Sequence, residues 1–136
     1  MKKALADEGA MLQTVATRGG EIKSASGKTV TADHSFLTAA SVLFDAVFVP
    51  GGAKSVETLG GEPDAYQFVD EAFRHCKAIA ATGEGVDFVK DTFAGKAEDD
   101  KGVILGDKTN KIAGDFIKAI AQHRNWDRET ARKVPA

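Results

Sequence analysis

Two glycine-containing turns, each after an apolar run, are where this chain could organise chemistry. Pro50-Gly51-Gly52-Ala53-Lys54-Ser55 follows residues 44–49, and Thr82-Gly83-Glu84-Gly85 follows residues 78–81. The first invites a phosphate-loop reading. That pattern needs glycine directly before the lysine, and Ala53 stands there, so a tight strand-to-helix turn is the plainer reading. The second could raise a nucleophile on a strained elbow at the carboxyl end of a strand. Its centre is Gly83, Thr82 is its only hydroxyl, and no histidine lies nearby in the sequence to activate it. Cys76 falls on the apolar stripe of a helical pattern and reads as a buried structural thiol. His75 points off that stripe, and no metal-ligand spacing links His34, His75 and His123. Glu98-Asp99-Asp100 reads as a solvated acidic loop, and Trp126 as a packing residue rather than a binding one.

These turns need strands and helices to hold them. Residues 1–8 form a helical pattern stopped by Gly9, and residues 11–16 a strand. Residues 21–24 and 28–31 flank Ala25-Ser26-Gly27 and predict a small exposed hairpin. Phe36 and Leu37, in the connector 32–41, are expected to cover an edge of the core. Residues 44–49 are nearly all apolar, as expected of a strand with helices on both faces. A short helix with Val56 and Leu59 on one side follows. The clearest helix carries Ala65, Phe68, Val69, Ala72, Phe73 and Cys76 at spacings of three and four, with Pro63 near its start. Residues 78–81 and 102–105 predict two more strands. A helical turn over 86–89 and a polar loop over 91–101 lie between them. A last helix, capped by Thr109 or Asn110, presents Ile112, Phe116, Ile117 and Ile120. Strands alternating with helices predict a mostly parallel sheet with helices on both faces. The organisation expected is one domain over 1–126 and a charged surface tail over 127–136.

Composition sets the outer limits. A chain of 136 residues with 43% apolar content and a net charge of -2 has room for one folded domain with a real core. Its charge balance gives no footprint for nucleic acid or an anionic membrane. No apolar run is long enough to span a bilayer, and the N-terminus lacks the apolar region of a secretory signal. A single cysteine excludes an internal disulfide and suits a reducing, cytoplasmic compartment.

Four segments together carry a resemblance. They are 41–52 (SVLFDAVFVPGG), 68–77 (FVDEAFRHCK), 79–85 (IAATGEG) and 117–126 (IKAIAQHRNW). The chain resembles, over nearly its whole length, the C-terminal domain of the large-subunit monofunctional haem catalases. That domain in turn is similar to the class I glutamine amidotransferase-like superfamily. The resemblance implies a flavodoxin-like three-layer α/β sandwich with a mostly parallel sheet and a small hairpin. Active members of the superfamily carry a nucleophilic cysteine at the position of Gly83, and some relatives a histidine at the position of Glu84. Gly51 and Gly52 match the turn whose backbone N–H helps form their oxyanion hole. The resemblance therefore implies a degenerate elbow at Thr82, Gly83 and Glu84, and no catalytic residue.

In the large catalases, haem and peroxide decomposition belong to a separate N-terminal domain with a tyrosine ligand and a distal histidine. Tyr66, the one tyrosine here, stands in a different context. The expectation is a non-catalytic domain that binds no cofactor or metal and packs on a catalase core. It would stabilise the tetramer of the parent, with a chaperone-like role towards unfolded clients. The alternatives are a stand-alone hydrolase or deglycase without its cysteine, and a small-ligand binding module. The flavodoxin-like order also places a first strand between 11–16 and 44–49, and that strand is apparently absent. The gap is then expected to close, to be filled by another copy, or to drive self-association.

Overall fold

A computed structural model describes residues 1–23, 27–97 and 99–132. Its centre is β6 (Ala78–Thr82), buried along its whole length. Four of its five residues are Ala, Ile, Ala and Ala, small enough for helices to approach both faces. β6 pairs in parallel with β5 (Ala46–Val49) on one side and with β7 (Val103–Gly106) on the other. The period of two divides their side chains between two layers. Val47, Val49, Ile79 and Ala81 face one way. They meet Val69 and Phe73 of α3 (Pro63–Arg74) and Phe88 and Val89 of α4 (Gly85–Lys90). Ala46, Phe48, Ala78 and Ala80 face the other way. They meet Ile112 and Phe116 of α5 (Thr109–Ala121) and Leu5 of α1 (Lys2–Asp7). α2 (Ala53–Gly60) joins the first layer through Val56 and Leu59. This is the expected three-layer sandwich.

The strand expected over 11–16 is hydrogen-bonded only as β1 (Val15–Ala16), which runs parallel to β4 (His34–Ser35). β4 lies inside the stretch read as a connector. It forms because Asp33 and His34 donate backbone N–H bonds to Thr14 O, and Phe36 to Ala16 O. The hairpin is present as β2 (Gly20–Lys23) and β3 (Thr29–Ala32), antiparallel and largely exposed. Its expected turn at 25–27 lies outside the described residues except for Gly27, which takes φ +79°. β1 and β5 belong to separate sheets, so the two do not close on each other.

Several local expectations change. Cys76 lies beyond the end of α3, in the left-handed region at φ 57°. There it closes the helix, because its N–H bonds Phe73 O and that of Lys77 bonds Ala72 O. The cap residue of α5 is Lys108, and neither Thr109 nor Asn110 caps it through a side chain. Phe36 packs on the core with its ring edge against Phe68, but Leu37 is 84% exposed. Trp126 is 55% exposed.

The largest difference lies at the C-terminus. The stretch expected as a surface tail forms α6 (Asp127–Arg132), and Arg128 is buried. Its guanidinium holds Asp100 through two bonds, Nε to Oδ2 at 2.7 Å and Nη2 to Oδ1 at 2.9 Å. Nη1 donates to Phe73 O and Lys77 O, and the group stacks 4.2 Å from the Phe73 ring centre. Asp100 is thus part of the interior and not a solvated loop residue. Gly102 is required beside it, since a Cβ there would run into the Asn125 amide and Arg128 Nη2.

Candidate functional site

The carboxyl ends of β5 and β6 bring the two turns together. Gly85 makes this approach possible: a Cβ there would lie 2.6 Å from Val49 O and 2.8 Å from Pro50 O. The turns then touch through Gly51 and Gly83, and Gly83 takes φ +53°. A Cβ on Gly51 would lie 3.1 Å from Thr82 O. Gly51, Gly52, Thr82, Gly83 and Glu84 are therefore neighbours.

What the sequence did not reveal is the use of Glu84. Its Oε2 accepts the Gly52 backbone N–H at 2.8 Å. The Gly52 N–H is thus already bonded to a carboxylate of this chain. Bonds from its own backbone N–H and from Gly52 hold the Glu84 carboxyl below its ordinary range. No signal in the sequence announces this bond, because Gly52 and Glu84 are 32 residues apart.

A shallow groove of about 520 Å³ opens beside the elbow, lined by Gly83, Glu84, Val86, Lys90, Leu105 and Asp107 among others. It contains no cysteine, histidine or hydroxyl side chain. His34 bonds Gln13 through Nε2, and His75 ends α3. Among the described residues no group of His, Cys, Asp or Glu is placed to hold a metal ion. The Tyr66 ring packs on Phe88 with centroids 4.6 Å apart.

Cys76 is fully buried, and burial pushes its thiol above the ordinary value against the opposing influence of Arg128. A thiol reagent is expected to label the native chain far more slowly than the unfolded chain. Hydrolysis of peptide, ester or glycated substrates is expected to stay at background. Rapid native labelling that abolishes a measurable hydrolase activity would overturn both.

The sequence matches, over residues 1–130, the C-terminal domain found in long catalases. It is 38% identical to Catalase-1 of Neurospora crassa over 85% of this chain, and 39% identical to Catalase HPII of Mycobacterium avium over 94%. Catalase HPII of Pseudomonas aeruginosa is 31% identical over the full chain. The chain spans only 19% to 20% of the length of these relatives. One similar solved structure is a two-domain protein from Anabaena variabilis with DJ-1/ThiJ/PfpI-like and ferritin-like domains. It has a TM-score of 0.58 and 27% identity, over 63% of this chain and 25% of that one. The VC2308 protein also has a TM-score of 0.58, over 69% of this chain and 47% of its own; at 19% identity it supports the fold alone. No helix among the described residues is long and apolar enough to cross a membrane. Sequence and fold together make this chain a member of the family of C-terminal domains found in long catalases.

Proposed function

We propose that this chain is the non-catalytic C-terminal domain of a large haem catalase, and that its role is to pack on the peroxide-decomposing core and stabilise the oligomer. The observation that carries this reading is the elbow itself. Gly83 supplies no nucleophile, and Glu84 takes up the Gly52 N–H that an oxyanion would need. A domain of this family kept with such an elbow is best explained by its contacts. Exposed Leu37, Val42 and Leu43 offer apolar surface for them, and for holding unfolded clients.

The test is a long catalase of this family with and without the domain. Removal is expected to leave turnover per haem unchanged at low temperature, to shorten the half-life on heating, and to weaken the tetramer in sedimentation. Loss of turnover with an intact tetramer would sink the reading. In the isolated chain, titration with haemin is expected to give no saturable one-to-one complex and no peroxide decomposition. A stoichiometric complex with turnover would show that haem chemistry resides in this chain.

A further inference from the structure

α6 is held to the domain by a buried cation and not by an apolar core. Among the described residues no side chain beyond Ile120 belongs to either apolar cluster, and Trp126, at the head of α6, is left largely exposed. Yet Arg128 is enclosed, and every group that holds its guanidinium comes from outside α6. Asp100 takes Nε and Nη2 side by side, Phe73 O and Lys77 O share Nη1, and the Phe73 ring lies against the guanidinium carbon. A carboxylate bound as a fork, two carbonyls and an aromatic face together match a guanidinium. An ammonium, a point charge, would use only part of the set.

These groups are fixed without α6. Gly102 N–H donates to Asp100 Oδ1 at 2.9 Å and Val103 N–H to Asp100 O at 3.0 Å, while Asp100 N–H donates to Ala97 O. Cys76 N–H and Lys77 N–H close α3 on Phe73 O and Ala72 O, and Phe73 belongs to the core. The receptor is therefore shaped in advance by α3 and the turn before β7. The same segment that fills it also covers Cys76. Asn125 donates to Cys76 O through its N–H at 2.7 Å and its Nδ2 at 3.3 Å, and the Glu129 backbone reaches the Cys76 sulfur. We infer that Asp100, Phe73 and Lys77 form a guanidinium-binding site filled in cis by Arg128, and that α6 is a strap that leaves it as a unit while the sheet stays folded. The vacated site takes the head group of another arginine, and the Cys76 thiol is uncovered with it. Undocking breaks polar contacts and exposes little apolar surface, so it is a smaller opening than unfolding of the domain.

The test follows Cys76 of the intact chain with an aromatic disulfide reagent, beside amide hydrogen exchange of β6. The thiol is expected to be protected about a hundredfold less than the β6 amides, because the strap opens more often than the sheet. Urea at about 1 M is expected to speed β6 exchange about tenfold and labelling less than about threefold, since undocking exposes less surface. Equal protection with equal urea dependence would mean that α6 leaves only when the whole domain unfolds, and overturns the proposal. The site itself is probed in the same chain with ethylguanidinium. By occupying the vacated site it holds the strap open, so about 20 mM is expected to speed labelling about threefold, as for a dissociation constant of about 10 mM. Ethylammonium at the same concentration is expected to leave labelling unchanged, and neither cation to alter β6 exchange. No acceleration by ethylguanidinium, or equal acceleration by ethylammonium, overturns the site. Acceleration of β6 exchange in step with labelling would be general denaturation and overturns it too.

Discussion

Arg128→Ala is expected to destabilise the fold by about 3–5 kcal/mol, the range for breaking one side of a buried ion pair. A whole domain has only about 5–15 kcal/mol to spare, so the variant should be partly unfolded near body temperature. The cost has three sources. The Asp100 carboxylate, 5% exposed, loses its guanidinium. Phe73 O and Lys77 O lose the donors from Nη1. The Phe73 ring loses the flat group stacked on it at 4.2 Å. Thermal and urea unfolding of Arg128→Ala, Asp100→Ala and the double variant measure this. The double variant should cost less than the two single effects added together. A loss below about 1 kcal/mol in Arg128→Ala, the size of an exposed pair, would show that the Arg128–Asp100 pair is not a stabilising element.

The second large effect depends on pH. Lys77 is 1% exposed, and its Nζ donates to Ser41 O at 2.6 Å. Burial, aided by the nearby Arg124 charge and opposed by Asp45, lowers its pKa from 10.5 to about 8. The unfolded chain therefore binds the Lys77 proton more tightly than the folded chain. Below pH 8 the folded protein carries the buried charge and bears the whole penalty, about 3 kcal/mol at roughly 1.4 kcal/mol per tenfold. Between pH 8 and 10.5 the folded form sheds the proton, and the penalty fades. Lys77→Met removes the charge and keeps the stem, but loses a hydrogen bond worth about 1 kcal/mol. The variant is therefore expected to be more stable than the parent by about 2 kcal/mol at pH 7. Its advantage should shrink from pH 8 upward and reverse by about 1 kcal/mol above pH 10.5. Urea unfolding of both proteins at several pH values gives the comparison. A difference that does not change with pH would mean that Lys77 is not held as a buried charge.

The sequence alone determined the elements whose pattern is local. The stripe from Ala65 to Cys76 read as a helix with one apolar face, and the apolar runs at 44–49 and 78–81 as buried strands, which the structure forms as α3, β5 and β6. The two glycine turns were legible because each follows an apolar run, but that a Cβ at Gly85 would collide with Val49 O and Pro50 O only the packing shows. The vacancy at Gly83 was legible too, because the absence of a side chain needs no partner to be seen. Tertiary structure decided which distant groups meet. Glu84 and Gly52 are 32 residues apart, and Arg128 and Asp100 are 28 apart. A charged residue reads as solvated until packing encloses it, so Asp100 read as a solvated loop residue and Arg128 as part of a surface tail. Pairing between strands is likewise non-local. Residues 11–16 read as a full strand, yet only Val15 and Ala16 find a ladder, because a strand exists through its neighbour and β5 does not stand beside this one.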